Sequence, residues 1–370
     1  MKKILVLGCG NAQTDFIKFC SKMNLEVHSC SYREEGRGIA VSDYFVKIDI
    51  MDSDSINKYV VNNSIDLVYS TGSDIAMPVI SKVSYKNHLP HFVSEETAVV
   101  CNDKSLLRDR IKKLDEFSVK FKKVGSINEL EDWNLFPAII KPVDSQGQRG
   151  VFLCENEKQL QAAFEKSVLY SKKRKVIIEE YIEGYEISVN VYVKDGEVVL
   201  FFVSERNSFS EYPGGIIKNH VYPLKREVKM PKLKKMIQLL TKELKIENGP
   251  AYFQIKVDGS GNPKVIEVTP RLDGCHIWRL IHEVYGLNLF KITLDHLLYN
   301  KFEYSVFANL SEKHNDQREL FFFTCPPNTK LNRSNFSVDP NAKYLEWYYE
   351  DGETVREING FQEKIGYQIV

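Results

Sequence analysis

The chain has 370 residues, enough for two or three domains, and its 50 Lys and Arg balance its 50 Asp and Glu. Without net charge no long-range field gathers nucleic acid or an anionic membrane surface, so neither partner is expected and any anion site must be built locally. Seven cysteines with no CxxC pair argue against a disulfide framework or a zinc site and for reduced thiols in a cytoplasmic protein.

The opening MKKILVLGCG is too short an apolar run for a signal segment and reads as a first strand over 3–7. No later stretch approaches the roughly 20 apolar residues of a membrane span. Further β runs at 25–30 and 66–70 alternate with helical stretches at 12–23, 53–60 and 75–84. This βαβ grammar predicts a Rossmann-like, doubly wound α/β domain over 1–100. Gly8-Cys9-Gly10 sits at the first strand-to-helix turn. A dinucleotide fingerprint would want glycine where Gln13 stands and an acid where Ser29, Cys30 and Ser31 stand, so NAD is not expected. A tight turn and a substrate-facing loop both remain open.

From about residue 101 the pattern becomes α+β. Strands are expected at 138–141, 151–154, 176–182, 186–194 and 197–203, with Lys194-Asp195-Gly196-Glu197 as a hairpin turn. Helices are expected at 157–169, capped by Asn156, and at 231–244, where Leu233, Met236, Ile237, Leu240 and Leu244 share a face. Strands at 251–258 and 264–269 follow. The block divides into subdomains 101–185 and 186–300. The aromatic-rich 301–370 reads as a small closing subdomain with no motif tied to chemistry.

Four separated segments suit a nucleotide when taken together. Lys104, with Arg108 one turn on, opens a helix and can reach a phosphate, although a charged helix start needs no ligand. Ala138-Ile139-Ile140-Lys141-Pro142 carries a lysine from an apolar strand, and Ser145, Gly147, Gln148, Arg149 and Gly150 follow in a small, polar loop that can fold N–H groups over phosphate oxygens. A plain hairpin would have no need of that lysine. Glu179, Glu180, Tyr181 and Ile182 precede a bend at Gly184 and Glu186 follows it; carboxylates there suit the adenine amino group and the ribose hydroxyls, while the backbone of Tyr181 and Ile182 can read the adenine edge. Lastly, period-two alternation sets Gln254 opposite Phe253 and Ile255 and puts Glu267 and Thr269 on one face. Few, hard oxygen donors suit Mg²⁺, or Mn²⁺, that keeps phosphates and waters, and Arg271 lies just beyond to clamp a phosphoryl group.

These segments, in this order, resemble the ATP-grasp superfamily, with the carbamoyl-phosphate synthase and L-amino acid ligase branches as reference. The resemblance spans about 101–300 and implies a two-subdomain ATP-grasp fold behind an N-terminal companion domain. It implies phosphate contacts from Lys104 and Lys141, a lid at 145–150, and adenine held by Glu179, Tyr181 and Ile182. Ribose would lie on Glu186 and metal on Gln254 and Glu267. Gln254 replaces a more common acid and Thr269 a more common Asn, which puts the third metal ligand in doubt. Gly214-Gly215-Ile216-Ile217-Lys218-Asn219-His220 resembles a loop with a phosphate-side histidine, so His220 joins Lys141 and Arg271 as a catalytic candidate; an ordinary surface-loop histidine fits as well.

The activity implied is ATP-dependent ligation of a small, amino-acid-like carboxylate to an amine through an acyl phosphate. Two alternatives stand beside it: a nucleotide-binding protein without ligase activity, and a carboxy- or carbamoyl-phosphate-forming enzyme. Specificity candidates are Ser73, Asp74, Arg206, Lys218, Asp273, His276 and Arg279, and a homodimer is left open.

Overall fold

The strand-and-helix alternation of the first hundred residues folds into a parallel sheet. In the computed structural model, which describes residues 1–145, 149–210, 215–308, 310, 316–358 and 360–370, it comprises β1 (Lys3–Leu7), β2 (Glu26–Ser31), β3 (Tyr44–Lys47) and β4 (Leu67–Tyr69), in the order β3-β2-β1-β4. Helix α1 (Asn11–Lys22) covers one face through Phe16, Ile17 and Cys20; α2 (Ser53–Asn63) and α3 (Met77–Lys86) cover the other through Ile56, Val60, Met77 and Ile80. Alternate residues of β1 therefore enter different cores, Ile4 and Val6 on one side and Leu5 and Leu7 on the other. Helix α3 starts two residues later than expected because Pro78 occupies its first turn. Strand β3, short and half-exposed, is an element the hydrophobic pattern does not announce.

Helices α4 (Glu95–Asn102) and α5 (Lys104–Ile111) lead away, separated at Asp103, whose carboxylate accepts from the N–H groups of Ser105 and Leu106. A four-stranded antiparallel sheet follows: β5 (Phe121–Val124), β6 (Ala138–Pro142), β7 (Phe152–Cys154) and β8 (Val176–Glu180), ordered β5-β8-β6-β7. Helix α6 (Glu157–Ser167), capped by Asn156, packs on it around Ile140, Leu160, Phe164 and Ile178, a core separate from the rest of the molecule.

Beyond this the chain builds one large antiparallel sheet: β9 (Gly184–Lys194), β10 (Glu197–Ser208), β11 (Ile217–Tyr222), β12 (Gly249–Asp258), β13 (Pro263–Thr269), β14 (Arg318–Cys325), β15 (Tyr344–Trp347) and β16 (Glu363–Ile369), ordered β13-β12-β9-β10-β11-β14-β16-β15. Its apolar face, with Ile187, Val189, Val191, Phe253 and Ile255, packs on α7 (Met230–Glu243) through Leu233, Met236, Ile237 and Leu240. Helices α8 (Ile277–Tyr285) and α9 (Leu289–Tyr299) pack with α1 and β14 to β16 in a second core. The 301–370 stretch thus lays three strands on the far edge of the large sheet, continuous with it. Among the described residues no helix is long and apolar enough to cross a membrane.

Gly184 is the joint between the small sheet and the large one. Its φ is +148°, and a Cβ there would meet the Val257 carbonyl oxygen at 1.9 Å. Gly184→Ala is expected to lower stability by about 1–3 kcal/mol, read as a reduced midpoint in urea unfolding.

Candidate functional site

A cavity of about 320 Å³ opens between the small sheet and the polar face of the large one. From the small sheet and its approaches come Lys104, Ile139, Lys141, Ser145, Val151, Glu179, Glu180, Tyr181 and Ile182; from the large sheet come Glu186, Arg206, Gln254, Lys256, Ile266 and Glu267. The four expected segments therefore meet at one place. Ile139, Val151, Ile182 and Ile266 give it apolar walls, and the cations and carboxylates give it two polar ends.

Register explains why these side chains converge. Ile139 faces Glu179 across the β6–β8 ladder, so Lys141, two residues on, lies diagonal to Glu179 on the same face. The Lys141 ammonium is 2.6 Å from the Glu179 carboxylate, whose other oxygen accepts from Arg108 Nε at 2.8 Å. Burial alone would raise the Glu179 carboxyl, but Arg108 and Lys141 outweigh it and hold it at about 2. Burial also works to lower the Lys141 ammonium, against the attraction of Glu179. Arg108, 1% exposed, donates in addition to the Ile266 carbonyl at 2.9 Å, so it ties the small sheet to β13. Lys104 donates its ammonium to the Ser145 carbonyl at 2.7 Å and its backbone N–H to Val143 at 3.0 Å, which brings the helix start onto the β6 loop.

Glu179 is thus engaged at both oxygens, by Arg108 on one and Lys141 on the other, and lines the cavity beside Tyr181 and Ile182. Glu180 accepts from the Lys120 N–H at 2.8 Å, and the Tyr181 N–H donates to the Pro137 carbonyl at 3.1 Å, so that N–H is already spent. Ile182 lines the cavity, and its N–H has no partner among the described residues.

On the large sheet, Gln254 pairs with Glu267 and with Ser188, and Glu186 with Arg206 and Lys256, which sets these side chains in two neighbouring rows on one face. Glu186 binds the Arg206 guanidinium and accepts from Gln254 Nε2 at 2.9 Å. That donation turns the Gln254 amide oxygen away from Glu186. Glu267 has no ion pair among the described residues. A free carboxylate and a free amide oxygen side by side fit a hard divalent cation. Among the described residues no three His, Cys, Asp or Glu side chains converge, so such a cation would depend on oxygens brought by its ligand. Thr269, 2% exposed, shares this face with an unpartnered hydroxyl but lies outside the cavity lining.

Arg271 stands just outside the lining, its Nε donating to Asp74 at 2.6 Å and a terminal nitrogen to the Leu272 carbonyl at 2.9 Å. Burial pushes the Asp74 carboxyl up to about 6, against the pull of Arg271. His220 is no surface loop residue: it lies in β11, fully buried, opposite Arg206 and Leu320. Burial, then Arg206 and Lys364, drive its pKa well below the usual imidazole range, so it is neutral near pH 7. Gly147, Gln148 and Gly214 lie outside the described residues, and Arg149 and Gly150 fall outside the cavity lining. Arg206 and Lys256 are cavity residues absent from the expected nucleotide set; period-two alternation from Glu186 and Gln254 was the signal for them.

Comparison with known proteins gives the site a context. Residues 134–278 match the family model of the ATP-grasp domain. The chain is 33% identical over 125 residues to a D-alanine--D-alanine ligase of Fusobacterium nucleatum, covering 33% of this chain and 41% of that protein. It is 26% identical over 207 residues to dapdiamide A synthase of Enterobacter agglomerans, covering 52% and 47%. The chain spans about half the length of the curated relatives it matches. The crystal structure of an L-amino acid ligase from Bacillus licheniformis superimposes with a TM-score of 0.81 over 100% of this chain and 93% of that one, at 18% identity, a likeness of fold.

Replacing Glu179 by Gln leaves two buried cations uncompensated and is expected to cost about 3–5 kcal/mol, measured by urea unfolding at pH 7. In the parent protein the Glu179 carboxyl lies below its ordinary 4.5, so its contribution is full above pH 4.5 and is lost as pH falls towards 2. The variant should lack that part of the acid slope.

Proposed function

We propose that this chain, a member of the ATP-grasp superfamily by the domain at residues 134–278, is an ATP-dependent ligase that joins a small carboxylate to an amine through an acyl phosphate. The observation that carries this reading is the single cavity with Lys104 and Lys141 on one side, the free oxygens of Gln254 and Glu267 on the other, and apolar walls between. That layout suits a nucleoside triphosphate: a flat apolar base, a hydroxylated sugar and a polyanion beside a cation. The domain division we propose is 1–100, 101–185 and 186–300, with 301–370 packed on the last.

In this mechanism adenine lies among Ile139, Val151, Ile182 and Ile266, with the Ile182 N–H towards its edge. Glu186 accepts from the ribose. Lys104 and Lys141 neutralise phosphate oxygens, and Glu179 and Arg108 keep Lys141 aimed at them. Mg²⁺, with Mn²⁺ meeting the same donors, supplies charge neutralisation on the phosphates when held by Gln254 and Glu267. The substrate carboxylate attacks the γ-phosphorus in line and ADP leaves; an amine then attacks the acyl carbon, forming the amide and releasing phosphate. Arg271, oriented by Asp74, faces the charge that develops on the transferred group. Residues 145–150 exclude water while the acyl phosphate exists. We place the reaction in the cytoplasm.

Phosphate release should be followed with Mg·ATP across pairs of amino acids and small carboxylates. A productive pair is expected to stimulate turnover, and Glu267→Ala to lower kcat by about 100-fold or more. Turnover of that variant at the parent rate would show the cation site to be misplaced, and nucleotide binding without stimulation by any pair would favour a non-catalytic nucleotide-binding protein.

A further inference from the structure

The polar face of the large sheet does not end at the cavity. From Gln254 and Ser188 it continues through Ser204 and Arg206 to His220; across the apolar Leu320 and Phe322 of β14, Lys364 on β16 returns a charge to the same face. The loop after β13 folds over this floor, so that Cys275 brings its sulfur within 3.7 Å of the Lys364 ammonium. Strands six places apart in the sheet thereby share one wall.

The buried cations near the cavity each face a carboxylate: Arg108 and Lys141 on Glu179, Arg206 on Glu186, Arg271 on Asp74. Lys364 differs. Among the described residues it has no carboxylate partner; its ammonium lies 3.6 Å from the centroid of the Phe322 ring and beside the Cys275 thiol, which burial keeps protonated. An aromatic face and a thiol are weak counterparts for a part-buried ammonium. Next along the floor, His220 Nε2 and Arg206 Nε are buried and have no hydrogen-bond partner. His220 is neutral, so its second ring nitrogen, 3.4 Å from Ser204 Oγ, can accept and leave Nε2–H to donate. An unpaired ammonium and two unspent donors on one face describe an oxyanion subsite.

We infer that Lys364, with His220 and Arg206, holds an oxyanion that the substrate carries away from its reacting group. This rests on the ligase reading and names its substrate class: a small molecule with an acidic substituent besides the carboxylate or amine that reacts. We take it to be a different group from the one phosphorylated, because Lys364 lies on β16 beside Cys275 whereas the proposed phosphoryl end lies at Gln254 and Glu267 on β12 and β13. A carboxylate and a phosphate monoester offer the same chemistry here. The 301–370 stretch then supplies a specificity residue through β16.

The test is ligand binding to the full chain in Mg·ADP, by thermal shift and calorimetry, with L-glutamate, L-aspartate and O-phospho-L-serine as acidic probes and L-glutamine and L-asparagine as neutral isosteres. At least one acidic probe should bind about tenfold or more tightly than its neutral counterpart, since charge-assisted hydrogen bonds are at stake. Lys364→Met should abolish that preference and Lys364→Arg restore part of it. Which probe binds distinguishes a carboxylate from a phosphate. Equal binding of acidic and neutral probes, no acidic probe bound at millimolar concentration, or a preference that survives Lys364→Met would each overturn the inference. Should Lys364→Met not fold, the acid-to-amide ratio in the parent protein decides. Mg·ADP alone is measured first: no response in the parent protein would fail the nucleotide reading, whereas a response without acid preference would fail this inference only.

Discussion

A carboxylate shared by two buried cations governs the site. Glu179 takes Arg108 on one oxygen and Lys141 on the other, and Arg108 continues to the Ile266 carbonyl. Three pieces of chain, the start of α5, the small sheet and β13, are fixed against one another through groups that are expensive to bury unpaired. The cluster retains one net positive charge at the edge of the cavity. In the proposed ligase a polyanion would complete it, so the same desolvation that makes the arrangement costly would favour phosphate. The charges that hold these pieces together would then also be the ones that meet the ligand.

Much of this was legible in the amino-acid order. A lysine between isoleucine and proline has to emerge from an apolar strand, and Lys141 does; alternation in β12 and β13 set Gln254 and Glu267 side by side. Local patterns also gave the helix capped by Asn156 and the βαβ succession. Features fixed by long-range pairing were not legible. Nothing around Glu179 says that its partner is Arg108, 71 residues earlier. His220 follows a glycine pair that looks like a loop, yet its strand is clamped between β10 and β14. The far edge of the large sheet draws on residues 318–369, whose aromatic composition suits a strand but does not say which strand it meets. β3 escaped notice because a short, half-exposed edge strand carries little hydrophobic signal.

The N-terminal domain reaches the loop after β13 at two places. Gly72, at φ +68°, brings its backbone so near Gly274 that a Cβ would meet the Gly274 Cα at 2.7 Å, and its N–H donates to Leu272 at 3.2 Å. Asp74 follows directly and takes Arg271. On the other flank Asp15 of α1 accepts from His276 at 2.8 Å, and Tyr348 contacts the second ring nitrogen at 2.6 Å. The turn carrying Arg271, Asp273 and Cys275 is therefore braced from both sides by residues remote in the chain, which gives a loop the positional accuracy of a regular element.

The separate interior of the small sheet carries a mechanical implication. Its side chains around Ile140, Leu160 and Ile178 pack among themselves and with α6, not with the two larger cores. In the proposed enzyme, tilting that layer about Gly184 would keep this interior intact, and its cost would fall on the contacts that Glu179 and Arg108 make across the seam. Rigidity within the layer and opening between layers would then rest on different groups of atoms: apolar packing for the first, a few buried charges for the second.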